Sequence, residues 1–363
     1  MARVTRLPMA APDDMRALEA AITDGAIDPA AVCAIFAKTE GNGCVNDFTR
    51  AFAVRALRDC LSQHRPQTTL DAVAMVMSGG TEGALAPHAL VFETLPANAP
   101  AMAGALAIGV HVTPPLPTEA IGRTAQVEAV AAGVRAAMDA AGITAADDVH
   151  FVQVKCPLIT AERAAEAIAR GAPPKTIDTL KSMGFSRGAS ALGVAVALGE
   201  IAPKTLSDAA IGADTALFSQ KASASAGVEL LGHEIVVLGR SDRWLGPLTI
   251  DSTVMDDAVD VAGLQDLLER NGLMAAGRMR PDEANRLVAL LAKAEPSTSG
   301  RVRGYRHTML DDSDIAPTRH ARGFVAGALA GVVGHGEIFV SGGAEHQGPD
   351  GGGPIAAIIA RHG

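Results

Sequence analysis

With 363 residues, of which 48% are hydrophobic and 20% charged, the chain has material for two or three ordinary globular units. A formal net charge of −9 argues against a general nucleic-acid binder, which needs basic surface, and the most apolar windows are too short for a membrane span. Aromatics make up only 3% against 38 glycines, so packing has to rest on small aliphatic side chains and close backbone approach.

The chain opens on "ARVTRLPMAAPDDMRALEAAI", which reads as a short strand, a polar Pro-containing turn and a helix. The opening "MARVTRLPMAAPDD" lacks an uninterrupted apolar h-region, so no signal peptide is expected there. Next comes an apolar run ending in lysine, "CAIFAKTEG" at Lys38. A helix-prone segment then opens with Arg50 in "FTRAFAVRAL", and a strand ends in a Ser-Gly-Gly corner, "AVAMVMSGG", at Ser78 and Gly79.

The same order recurs in the middle of the chain. "IGVHVTPPLPTEAIGRTAQVEAV" repeats strand, turn and helix; "HFVQVKCPL" ends a run at Lys155; "FSRGASALGVAVAL" opens with Arg187. The serine corner is worn here: "TALFSQKASASAG" offers Ser223 and Ser225, with alanine following each. The last third repeats the order again, from "LGPLTIDSTVMDDAVDVAGLQDLL" through "LVALLAKAEP" at Lys293 and "HARGFVAGALAGVV" at Arg322 to "EIFVSGG" at Ser341 and Gly342. The Lys293 run fits a helix end equally well by periodicity, and is read as a strand by analogy with the other two. Three units result, 1–104, 109–246 and 252–363, with joints near 96–105 and 240–250.

If the units surround a pseudo-threefold axis, three lysines, arginines and serines converge on one pocket. Arginine offers a planar fork of donors for carbonyl oxygens. Crowded cations in a poorly hydrated pocket push a lysine toward its neutral amine, which beside a serine is a general base for hydroxyl attack on a carbonyl. Backbone N–H groups at the corner can hold the resulting oxyanion. Each residue alone is usually a solvated strand end, a capping group or a turn; the recurrence in fixed order singles them out.

Other signals are weaker. "SGGAEHQGPDGGGP" has phosphate-cradle density of glycine but no Walker spacing, and its exposed carbonyls with Glu295 suit a hard cation as well. "TMLDDSDIAP" fails EF-hand spacing, the ten histidines form no HExxH pair, and no GxGxxG register supports a dehydrogenase. Cys33, Cys44, Cys60 and Cys156 lack metal or redox spacing and read as reduced thiols, with the cytoplasm as the expected compartment.

Over essentially its whole length the chain resembles the cyanuric acid amidohydrolase/barbiturase family of ring-opening amidohydrolases. The resemblance rests on "AKTEGNGCVNDFTR", "SGGTEGALAPH", "FVQVKCPLIT", "GFSRGASALG", "ASASAGVEL", "AKAEPSTSGRVRGYRHTM", "TRHARGF" and "FVSGGAEHQGPDGGGP". It implies an α+β fold of three similar repeat units around a pseudo-threefold axis, with strands in a central barrel-like core and helices outside. It further implies hydrolysis of a cyclic imide, cyanuric acid, to carboxybiuret and then biuret, a step of s-triazine degradation. Barbiturate hydrolysis is the alternative within the family, and a non-catalytic binder of small cyclic anions the alternative outside it.

Carried over, the resemblance makes Ser223 the nucleophile and Lys155 its base. Ser223 is preferred over Ser225 because Ala224 then matches Gly79 and Gly342; one register step would exchange them. Arg50, Arg187 and Arg322 would grip ring carbonyls, Ser78, Gly79, Ala224, Ser341 and Gly342 would add hydrogen bonds, and Lys38 and Lys293 would tune charge. No organic cofactor is implied. A structural divalent cation, magnesium or calcium, would sit on Glu295 and mostly backbone oxygens at Ala344, Gln347, Gly348, Pro349 and Gly352. The expected partners are the small-molecule substrate and identical subunits in a homotetramer, with neither nucleic acid nor membrane.

Overall fold

A computed structural model describes residues 1–96 and 102–362, so residues 97–101 of the expected first joint lie outside the described residues. The fold is mixed α and β. Three four-stranded sheets repeat one topology, in which the opening strand pairs with the closing strand, the closing strand with the lysine strand, and the lysine strand with the serine strand. The opening strands are Ala2–Pro8, Ala105–Val112 and Leu248–Met255. The lysine strands are Val32–Thr39, Val149–Cys156 and Leu287–Ala294. The serine strands are Ala74–Gly79, Ala222–Ala226 and Phe339–Gly342.

The closing strands, His88–Thr94, Glu234–Ser241 and Gly353–Ala360, were absent from the expected unit of strand, helix, strand, helix, strand. They are near-continuous apolar runs buried on both sides, and such runs carry no alternation to mark them. Each pairs antiparallel with two neighbours, while lysine and serine strands run parallel. The second sheet begins at Ala105, four residues before 109, and the third at Leu248, four before 252.

Strand alternation explains how the site is built. In Val32–Thr39, Ala34 and Phe36 face a core shared by all three sheets, whereas Ile35 and Ala37 face the helices. Phe151 in the second lysine strand and Ala289 and Leu291 in the third face the same shared core. Two residues beyond Phe36 and Leu291, and four beyond Phe151, the same alternation delivers Lys38, Lys293 and Lys155 to the end of that core, all fully buried. Phe36 stacks tilted on Phe92 of its own sheet and on Phe339 of the third, with ring centroids 4.6 and 5.6 Å apart. The barrel-like centre is therefore made by side-chain packing of three separate sheets; among the described residues no ladder closes them.

The long helices cover the outer faces. Asp47 caps Phe48–Ser62 by accepting from Thr49 N–H, and Asp178 caps Thr179–Ala197 by accepting from Lys181 N–H. Pro317 opens Pro317–Val333, and Gly334 ends it with φ 87°. Arg50 and Arg322 lie near the starts of their helices. Arg187, expected to open its segment, lies mid-helix because the cap falls at Asp178. Among the described residues no helix is long and apolar enough to cross a membrane.

Candidate active site

Pairing between lysine and serine strands sets the geometry of the site. Lys38 is directly opposite Ser78, and Lys293 directly opposite Ser341. On the same rung Lys155 faces Ser225, while Ser223 faces Gln153 one layer deeper. This register argues against the preference for Ser223. Its Oγ is buried and donates to Gln153 Oε1 at 2.8 Å, so it has no access to the pocket. Ser225 lines the pocket together with Ser78, Ser341, Arg50, Arg187 and Arg322.

The partner of Gly79 and Gly342 moves with the register. Thr39 pairs with Gly79, Ala294 with Gly342 and Cys156 with Ala226, so Ala226 replaces Ala224 at the corner. Ala224 faces the helices. Its N–H donates to Gln347 Oε1 at 2.6 Å and its carbonyl accepts from Lys293 Nζ at 2.9 Å. The lysines interlock the units in the same way: Lys155 Nζ donates to Met77 O at 2.8 Å, so each of these two lysines reaches the carbonyl just before another unit's pocket serine.

The three lysines differ in detail. Lys38 Nζ donates to Ser78 Oγ at 3.1 Å, and Lys293 Nζ to Ser341 Oγ at 3.3 Å. Lys155 instead forms an ion pair with Glu229 Oε1 at 3.0 Å, and Ser225 Oγ has no hydrogen-bond partner among the described residues. Burial drives every one of these ammonium groups down. Lys38 falls well below the usual lysine value, helped by Arg322, and Lys293 falls to about 7, helped by Arg187. Lys155 is also lowered by burial, with Glu229 opposing and Arg50 assisting.

A fourth threefold set, not among the expected site residues, completes the pocket. Glu82, Glu229 and Glu345 each lie four residues after a pocket serine, a spacing visible in "SGGTE", "SAGVE" and "SGGAE". Glu82 receives Arg322 through Nε and Nη2, both at 2.6 Å, and Glu345 receives Arg187 at 2.7 and 2.6 Å. These bidentate pairs fix two guanidinium planes at the pocket. Arg50 is held differently: Nη1 donates to Ala226 O at 3.3 Å, Nη2 to Cys44 O at 2.8 Å, and Nε is buried without a hydrogen-bond partner among the described residues.

Glu295 lies apart from this pocket. It lines a larger cavity of about 110 Å³ with Ala344, Gly348, Pro349 and Glu345, and accepts a hydrogen bond from Ala344 N–H at 3.0 Å. Burial, followed by the neighbouring Glu345, pushes its carboxyl up to about 8. Of the other residues expected there, Gln347 uses its side chain on Ala224 N–H and on the Gly343 carbonyl, and Gly352 donates to Pro349 O at 2.9 Å.

A buried serine facing lysine, with arginine forks around it, is an arrangement for acyl transfer from a small polar ring to the serine. Comparison with known proteins points the same way. The family described as "Amidohydrolase ring-opening protein" matches residues 3–360. The chain is 62% identical over 361 residues to the cyanuric acid amidohydrolase of Azorhizobium caulinodans, covering 99% of each. It is 60% identical to that of a Bradyrhizobium species, covering 99% of this chain and 98% of the relative. The crystal structure of the A. caulinodans cyanuric acid hydrolase superposes with a TM-score of 0.93 at 61% identity, covering 100% of this chain and 99% of the other. A second solved cyanuric acid hydrolase superposes with a TM-score of 0.94 at 47% identity, covering 99% of both.

Proposed function

The chain belongs to the ring-opening amidohydrolase family, and from that premise we propose that it is a cyanuric acid amidohydrolase, a hydrolase of cyclic C–N bonds, with Ser225 as nucleophile and Lys155 as base. The observation that carries this reading is the shared rung: Lys155 opposes Ser225 where Lys38 opposes Ser78 and Lys293 opposes Ser341. Cyanuric acid has three carbonyls alternating with three N–H groups, so a site with three equivalent sets of donors matches each third of it.

In this mechanism the three arginines hold ring carbonyls, and Ser78 and Ser341 donate their hydroxyl protons while accepting from Lys38 and Lys293. The Lys155 amine takes the Ser225 proton, and Oγ attacks one carbonyl carbon. Corner N–H groups and arginine forks stabilise the oxyanion. The C–N bond then breaks, and the Lys155 ammonium returns its proton to the departing nitrogen. Water activated by the same amine hydrolyses the acyl-enzyme. The product, carboxybiuret, loses carbon dioxide to give biuret.

The test is turnover of cyanuric acid by purified protein, followed by ring absorbance and carbon dioxide release. Ser225→Ala is expected to lose about four orders of magnitude in kcat or more, with binding retained. Full activity in that variant would remove the nucleophile assignment.

The reading extends to a structural divalent cation at Glu295. A half-buried carboxyl driven up by desolvation and by a second carboxylate is short of positive charge, and a cavity lined by Glu295, Glu345 and Asp350 beside loop backbone suits magnesium or calcium. Glu295 would hold it with carbonyl oxygens of Ala344, Gln347, Gly348, Pro349 and Gly352; the side-chain amide of Gln347 is already committed. The cation would neutralise and brace the C-terminal loop. Chelation is expected to lower the melting temperature, with magnesium or calcium restoring it. A cytoplasmic homotetramer completes the reading on family likeness, and sedimentation measures that state.

A further inference from the structure

The serine corners share the spacing Ser-x-Gly-x-Glu but not a conformation. Gly80 and Gly343, two residues after their pocket serines, have φ of 100° and 78°; Gly227, at the same place in the middle unit, is not left-handed. A Cβ at Gly80 would lie 2.0 Å from Arg322 Nη2, and one at Gly343 would lie 2.5 Å from Arg187 Nε. At Gly227 the atom overhead is Glu229 Oε2, at 2.2 Å. In two corners a guanidinium covers the glycine and is clasped by the glutamate. In the third, the glutamate itself covers the glycine.

The rotation of partners makes the difference explicit. Glu82 of the first unit clasps Arg322 of the third, and Glu345 of the third clasps Arg187 of the second. Continuing the cycle, Glu229 of the second unit belongs on Arg50 of the first. The Nε edge of Arg50 is buried and unpartnered, which is the edge that Arg322 and Arg187 give to their glutamates. Glu229 lies against Lys155 instead, at 3.0 Å, and Oε1 makes no aligned hydrogen bond there. It still feels the charge of Arg50.

We propose that Glu229 is a positioning residue with two seats, Lys155 Nζ as seen here and the Nε edge of Arg50 when the ring is bound, and that its move sets the charge on Lys155. This inference rests on the Ser225–Lys155 reading above. Gly227 supplies the backbone freedom for the move, since glycine alone crosses readily to the left-handed φ of the other two corners. In the first seat the carboxylate holds Lys155 as an ammonium, which cannot accept the Ser225 proton. In the second, Lys155 loses its counter-charge, gives one proton to water, and becomes the amine that accepts it. Arg50 gains the bidentate partner its two counterparts already have, so the move also steadies the fork on a ring carbonyl. The charged and titratable groups facing Lys155 are Glu229, Arg50, Cys156 and, across the sheet, Glu234; only Glu229 has a second seat.

The experiment is the pH dependence of kcat and kcat/KM for cyanuric acid in the wild type, Glu229→Gln, Glu229→Asp and Glu82→Gln. The ionisation of the substrate is common to all four and cancels between them. In the wild type the acid limb of kcat/KM is expected at higher pH than that of kcat, because the first seat belongs to the free enzyme. Glu229→Gln is expected to move the kcat/KM limb to lower pH and to raise KM about tenfold. Glu82→Gln is expected to raise KM and leave the limb in place. Glu229→Asp keeps the charge and is expected to keep the limb, and it supplies the comparison if Glu229→Gln does not fold. A Glu229→Gln profile overlying the wild type, or a Glu229→Asp limb displaced from it, overturns the inference. Ser225→Ala is measured alongside: its full activity would instead overturn the reading on which the inference stands.

Discussion

Lys155 and Ser225 stand opposite one another on parallel strands, yet the Lys155 ammonium turns to Met77 O and Glu229 while the serine hydroxyl has no partner among the described residues. In the other two units the lysine donates to its own serine. One serine of three is thus free to lose a proton, and the other two are held as donors for a ring.

The two serines of "KASASAG" are separated by mutation. Ser223→Ala removes the donor to the buried Gln153 Oε1 and is expected to cost about 1–3 kcal/mol, read as a melting temperature a few degrees lower. Its kcat should stay within a few-fold of wild type, whereas Ser225→Ala should be inactive. Loss of turnover in Ser223→Ala at unchanged stability would contradict the assignment.

Lys293 makes stability depend on pH. Its folded value of about 7 lies below the ordinary lysine value of 10.5, so between these limits the unfolded chain binds more protons than the folded one. Stability contributed at this site therefore rises from about pH 7 to 10.5. Measured against Lys293→Met, the wild type should gain a few kcal/mol across that window. A difference independent of pH would show that Lys293 is charged in the fold.

Glu82 holds Arg322 in a two-point grip and also accepts from Arg319 Nε at 3.0 Å. In Glu82→Gln the fork is no longer fixed, and KM for cyanuric acid should rise about tenfold with a smaller change in kcat. Steady-state kinetics at saturating and limiting substrate separate the two. A change confined to kcat would place Glu82 in the chemistry itself.

Gly79 has no room for a side chain. A Cβ there would lie 1.8 Å from Asp47 Oδ2, and Asp47 both caps the helix Phe48–Ser62 and accepts from Gly43 N–H at 2.8 Å. Gly79→Ala should cost about 1–2 kcal/mol through the lost cap and weaken substrate binding through Arg50 on the same helix. Ala226 occupies the equivalent position with a Cβ already in place, so Ala226→Gly should be mild. Thermal unfolding of both variants gives the contrast.

Much of the site was legible in the chain because chemistry-bearing residues recur in fixed order: Lys38, Lys155 and Lys293; Arg50, Arg187 and Arg322; Ser78 and Ser341. The closing strands were not legible, because apolar runs buried on both faces carry no alternation. Glu82, Glu229 and Glu345 are visible as a spacing that names no task, since the partners of Glu82 and Glu345 lie in other units more than a hundred residues away, Arg322 and Arg187, and Glu229 meets Lys155 only through the folded sheet.

The sequence by itself determined the threefold repeat and the residue types that meet at its centre. Tertiary structure alone gives Ser223 and Ser225 different surroundings. Residues two apart on a strand point to the same face, so alternation treats the two serines alike. Only the rung on which a neighbouring strand places its lysine distinguishes them, and that register is a property of the assembled sheet: Lys155 meets Ser225, and Gln153 meets Ser223.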